Sequence, residues 1–196
     1  MTSPVLNRMA RATLAGVFVG ILGLAGAYSA SAASGGGGGG GGSGGSSGTG
    51  TATPLCRQGQ VWDKKLQRCV RAHSSNVPDK ELLQQGRSLA LAGHYDDALA
   101  VLDAVRDKQD AMVLTYIGYS HRKKGDTDVG IGYYKRALAI DPDNLNTHEY
   151  LGEGYASAGK LDLAKAELAT VERLCGNKTC EQYEDLAAAV AGKPVD

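Results

Sequence analysis

From Pro78 to the C-terminus the chain repeats itself, and that phase constrains the fold more than any bulk property. The stretches "LLQQGRSLALAGHYDDALAVLDAV" (82–105), "LTYIGYSHRKKGDTDVGIGYYKRAL" (114–138) and "HEYLGEGYASAGKLDLAKAELATV" (148–171) align on one template. Gly86, Gly118 and Gly152 each stand seven residues before Gly93, Gly125 and Gly159, and successive copies are offset by 32 and 34 residues. Apolar positions inside each copy follow a helical period, so the unit reads as helix, glycine turn, helix. Three such units stack into an all-α solenoid, because a lone helical hairpin leaves one apolar face uncovered.

The residue types follow from that geometry. A glycine at 86, 118 or 152, with Ala98, Gly130 or Ala164 opposite, lets two antiparallel helices approach closely. Gly93, Gly125 and Gly159 fall just past the first helix of each unit, where a left-handed backbone costs little only for glycine. Leu82, Leu114, Leu151, Leu102, Tyr134 and Leu168 are the large apolar groups expected to fill the space between hairpins. Asp141-Pro142-Asp143-Asn144 ends one hairpin and opens the next, since proline does not continue a helix.

With these glycine, alanine and large-apolar positions, and with "ALAIDPDN" at 137–144, the chain resembles the tetratricopeptide repeat (TPR) family. The resemblance implies repeats over about 79–110, 111–144 and 145–178. The first copy is two residues short after its second helix, and Gly130 stands where the family has Ala; both are expected to loosen the geometry slightly. The family's arrays are non-enzymatic binding scaffolds that present the first helix of each repeat along a concave groove. Carried onto this chain, the groove positions are Lys80, Leu83 and Arg87, then Met112, Thr115, Tyr119 and Arg122, then Asn146, Glu149 and Glu153. Such a groove would grade from basic to acidic with Tyr119 at its centre. The family's carboxylate clamp wants Lys and Asn where this chain has Thr115, Tyr119, Glu149 and Glu153. A partner held by its terminal carboxylate is therefore not expected.

Thr179 is placed to N-cap a last helix over 179–192, with Gln182 in the capping-box position. Its apolar residues Tyr183, Leu186 and Val190 suit a helix that covers the last exposed face of an array.

Compartment governs the cysteines. Arg8 and Arg11 precede an apolar run, and small residues end at Ala30-Ser31-Ala32. That succession is a secretory signal peptide over 1–33, cleaved near Ala32 or Ala33. The run is short and glycine-diluted for a membrane span, so no stable span is expected after processing; an uncleaved anchor is the alternative. The expected location is the bacterial periplasm, with an extracellular or membrane-tethered protein as alternatives. No cysteine stands beside the cleavage site, which argues against a lipoprotein. In an oxidising compartment the four cysteines read as a disulfide framework, and proximity pairs Cys56 with Cys69 and Cys175 with Cys180. Neither pair has zinc or redox spacing. Thiol redox work is the weaker alternative.

Between signal and repeats, 34–55 is a Gly/Ser-rich flexible linker, and 56–71 is a small disulfide loop without enough apolar bulk for a core. That loop carries Arg57, Lys64, Lys65, Arg68 and Arg71 against Asp63, whereas 72–196 holds 14 basic and 20 acidic residues, a net −6. The zero net charge of the whole chain therefore hides a basic module and an acidic one. "CRQGQVWDKKLQRCV" resembles short cysteine-stapled modules of secreted bacterial proteins. An alternative function follows: Arg57, Trp62, Lys64, Lys65 and Arg68 bind an anionic envelope polymer and the repeats act as spacer. The bland alternative is that the loop docks on the acidic helices.

No nucleophile elbow, zinc-protease helix or phosphate loop is present, so no enzyme activity, cofactor or metal is expected, and nucleic acid is not an expected partner. The function expected is a protein–protein interaction scaffold or adaptor in the cell envelope with a peptide or protein partner.

Overall fold

The computed structural model describes residues 53–193. The expected signal peptide and most of the expected Gly/Ser linker lie outside the described residues. The chain enters as a β-hairpin, β1 (Gln60–Asp63) and β2 (Arg68–Arg71), followed by a single 3-10 turn (Ala72–Ser74). Seven helices follow: α1 (Asp79–Leu91), α2 (Tyr95–Asp103), α3 (Ala111–Lys123), α4 (Thr127–Ile140), α5 (Leu145–Ser157), α6 (Leu161–Cys175) and α7 (Glu181–Val190). The first helices of the three repeats start at Asp79, Ala111 and Leu145. The fold is a TPR-type helical-hairpin solenoid of three repeats closed by a C-terminal helix.

Local chemistry sets the helix ends. The Asp110 side chain accepts from the Met112 and Val113 amides and starts α3; Asn144 accepts from the Thr147 amide and starts α5. Both are N-caps that satisfy otherwise orphaned donors. Gly93, Gly125 and Gly159 have φ of 80°, 103° and 72°, the left-handed turn expected between paired helices.

Two expectations about packing change. Gly130 tightens its hairpin: a Cβ there would stand 2.7 Å from the Gly118 carbonyl oxygen, so α3 and α4 meet backbone to backbone. Leu168 is only half-buried. The side chain against Gly152 is Leu186 of α7, fully buried, where Leu102 and Tyr134 play that part at Gly86 and Gly118. The third repeat therefore draws its filling residue from outside itself.

The start of α7 also differs from expectation. Cys180, not Thr179, occupies the N-cap, and no side chain caps the helix. Thr179 turns back to the Asn177 side chain, and Gln182 donates to Asn146 Oδ1 at 3.1 Å instead of closing a capping box. Cys175 and Cys180 are disulfide-bonded, tying the end of α6 to this N-cap across the left-handed Gly176.

The segment 56–71 is more than a loop. Cys56–Cys69 is the second disulfide, and β1 and β2 pair antiparallel with Trp62 opposite Cys69. Val61 is fully buried in the core shared with Leu82, Leu89, Val101 and Leu102. The hairpin thus contributes to the hydrophobic core of the first repeat, which its sparse apolar content did not suggest.

Candidate functional site

Two of the five cations of the hairpin segment, Arg57 and Lys64, meet carboxylates of the helices. Asp97 on α2 accepts from Arg57 Nε at 2.8 Å and from the Gln58 and Gly59 amides. These donors outweigh the desolvation of Asp97, the largest single effect, and hold its carboxyl below the usual range. Trp62 is half-buried, and its backbone exchanges two hydrogen bonds with the Gln85 side chain, at 2.6 and 3.0 Å. Lys64 lies 3.6 Å from Glu81. Lys65 and Arg68 remain exposed. Of the five residues expected to bind a surface polymer, two pair with helix carboxylates and Trp62 lies against α1, as the docked alternative requires.

The expected groove positions divide into three sets. Thr115, Arg122 and Glu153 form a polar layer between repeats. Thr115 is fully buried, and its hydroxyl meets that of Thr147 at 2.7 Å. Arg122 donates to Glu153 at 2.5 Å and to the Tyr134 hydroxyl at 3.3 Å. The resemblance placed these three on an open groove wall; packing of α3 against α5 buries Thr115 and Arg122, while Glu153, paired to Arg122, still lines the cavity described next. Lys80 is exposed, and Leu83 and Met112 are half-buried against the core of the first repeat and the hairpin, away from the cavity described next.

The remaining positions converge. A cavity of about 210 Å³ is lined by Arg87 and Leu91 of α1, Tyr119 of α3, Asn146, Glu149, Tyr150 and Glu153 of α5, and Glu181, Gln182 and Asp185 of α7. The first helices of all three repeats contribute to its lining. Tyr119 sits at its centre, with its ring 5.1 Å from Tyr150 and 6.4 Å from both Tyr95 and Tyr116. Burial pushes the Tyr119 and Tyr150 hydroxyls up from their usual values, so both remain neutral donors.

Charge on this face is uneven. Arg87, at the basic end, donates to the Tyr116 hydroxyl at 2.5 Å. Glu149, Glu153, Glu181 and Asp185 stand at the other end, and Arg122 neutralises only Glu153. Burial first, then Glu153, Asp185 and Glu181, push the Glu149 carboxyl up to about 8.

Sequence reasoning missed Leu91, Tyr150, Glu181, Gln182 and Asp185. The three from α7 were read only as part of a cover. Their signal was present as polar residues at i, i+1 and i+4 ahead of the buried Leu186, on a helix already expected to fold back on the last repeat.

Compared by sequence, the chain matches no protein-family model and no curated protein. Solved structures match by fold. The type III secretion translocator chaperone SycD of Yersinia enterocolitica is similar over 58% of this chain and 81% of its own, at 21% identity and a TM-score of 0.51. MamA is similar over 58% of this chain and 67% of its own, at 22% identity and a TM-score of 0.50. The first TPR domain of human RPAP3 aligns over 58% and 93%, at 18% identity and a TM-score of 0.49.

Proposed function

We propose that this chain is a non-enzymatic interaction scaffold, an exported adaptor of the cell envelope that takes a peptide or protein segment on its concave face. The observation that carries the reading is the single cavity lined by α1, α3, α5 and α7, with two neutral tyrosines in its wall and carboxylates facing it. A concave surface formed by several helices, with two tyrosines among charged and amide side chains, suits a polar peptide segment. SycD is a chaperone; its likeness here is one of fold, and the ligand reading rests on the groove. Export is supported by the basic, apolar and small-residue succession ending at Ala32, and two disulfides suit an oxidising compartment.

Site-specific photo-crosslinking in the native envelope tests the scaffold. A crosslinker at Leu91 on the groove rim should capture a discrete partner, and one at Lys165 on the exposed side of α6 should not. Equal capture at both positions would refute groove binding. N-terminal sequencing of the exported chain tests the location: a new terminus at Ala33 or Ser34 supports it, and an intact Met1 overturns it.

A further inference from the structure

Glu149 is 6% exposed and lines the cavity, yet among the described residues no hydrogen bond or ion pair engages its carboxylate. Burial and through-space charge alone account for its shift. Among the described residues no deeply buried side-chain nitrogen or oxygen lacks a partner, so the Glu149 oxygens are the ones that open on the cavity. A carboxyl group drawn out of water costs free energy unless something pairs with it.

We infer that the α5–α7 corner of the groove is a subsite for a cationic side chain of the bound peptide, an ammonium or guanidinium on an apolar stem, with Glu149 as its direct partner. The inference rests on the groove reading above and names what one part of the groove selects. Glu181 and Asp185 of α7 face the same corner and are paired with no base among the described residues, so the local charge is negative after Arg122 has neutralised Glu153. Arg87 is the opposing cation, held at the far end by Tyr116. Tyr150 in the cavity wall offers a ring to a cation, whereas Arg122 and Lys123 of the chain itself already lie over the Tyr119 ring, and Leu91, 45% exposed on the rim, offers apolar contact to the cation's stem. A divalent metal fits less well: among the described residues no three acidic, His or Cys side chains converge closely enough to hold one.

Proton linkage follows from the same geometry. Free Glu149 carries its proton up to about pH 8, and pairing with a cation requires losing it. Glu153, Glu181 and Asp185 favour the proton and Arg122 opposes it, while Arg87 also lines the cavity. The neutral Tyr119 and Tyr150 hydroxyls add no charge. Binding therefore tightens as pH rises toward 8.

The test is an NMR titration of the full exported chain with blocked amino acids: N-acetyl-lysine methylamide, the arginine analogue, and the norleucine analogue as neutral isostere. The lysine and arginine probes should shift the Glu149 and Asp185 amides saturably, and the norleucine probe should not. Glu149→Gln should weaken the charged probes by about tenfold or more, a loss of one charge-assisted contact. Removing a buried charge does not threaten the fold, and Asp185→Asn on α7 provides a second variant, expected to weaken binding less. Equal response to norleucine, unchanged affinity in Glu149→Gln, or saturable calcium binding in place of the charged probes would each overturn the subsite. Probe binding without any partner captured at Leu91 sinks the scaffold reading instead; capture at Leu91 with no probe preference sinks the subsite alone.

Discussion

Arg122 on α3 and Glu153 on α5 are joined by a 2.5 Å hydrogen bond with both side chains more than nine-tenths buried. Burial is the largest influence on each: it pushes the Glu153 carboxyl up even against the guanidinium, while for Arg122 the Tyr134 hydroxyl and Glu153 more than offset it and raise its basicity further. Neither charge has another full partner. Glu153→Ala should therefore cost about 3–5 kcal/mol by stranding the arginine, and replacing both residues by Met should recover most of the loss. Urea midpoints of the single and double variants check this; a single-variant cost below about 1 kcal/mol would show that water reaches the pair.

The two glycines near the middle of α4 should respond oppositely to alanine. A Cβ at Gly130 meets the Gly118 backbone at 2.7 Å, whereas Gly132 has nothing within 4 Å. Gly130→Ala should destabilise by about 1–3 kcal/mol through overpacking. Gly132→Ala should stabilise by about 0.5–1 kcal/mol through helix propensity alone. Thermal melts of the pair separate the two effects, and a stabilised Gly130→Ala would refute the close backbone approach.

His148 should report an acid-side contribution to stability. Its Nδ1 lies 2.7 Å from a Glu167 carboxylate oxygen and its Nε2 lies 2.9 Å from the Pro142 carbonyl oxygen. Both neighbours are acceptors, so the protonated ring satisfies both contacts and the neutral ring only one. The Glu167 hydrogen bond, opposed by desolvation, raises its pKa above the ordinary 6.5. A raised pKa in the folded state stabilises fully below pH 6.5 and the gain is lost as pH rises through the folded value. His148→Gln should remove that part of the pH dependence, read from urea midpoints across the range.

Glu149 runs the other way. Its carboxyl keeps a proton up to about pH 8 in the folded chain and would lose it near 4.5 when unfolded. Stability must therefore fall as pH rises between these values and level off above them. Glu149→Gln should flatten this slope and leave the chain more stable than the parent at pH 8; an unchanged slope would mean that the carboxylate is already ionised at neutral pH.

The helical array was legible because its signals are local. Glycine spacing, the Asp-Pro turn and the Asn144 cap each act within a few residues. The β-hairpin was not legible. The turn ahead of β1 and the turn between the strands are held by Gln58 and Gln67 at φ of 59° and 50°, with no Asn-Gly or Asp-Gly between the strands to announce the hairpin, and each strand is only four residues long. Asp63 supplies the turn by accepting from the Lys65 and Leu66 amides. The inner polar layer was hidden for another reason: period places Thr115, Arg122 and Glu153 on one face, but only the approach of α3 and α5 decides that Thr115 meets Thr147 and Arg122 meets Glu153. Likewise, the polar spacing on α7 shows which side of the helix is wet, but only its docking on α5 brings Glu181 and Asp185 beside Glu149.

The dependence of Gly152 on Leu186 bears on how such a chain can change in length. The first two hairpins carry their own knob for the glycine slot, so either is a self-sufficient module. The third borrows its knob from a helix clasped to it by Cys175 and Cys180. Duplicating 145–178 alone would insert a unit with an empty socket, whereas copying a unit of the first or second type ahead of it would not. The array is therefore modular at its front and clasped at its back.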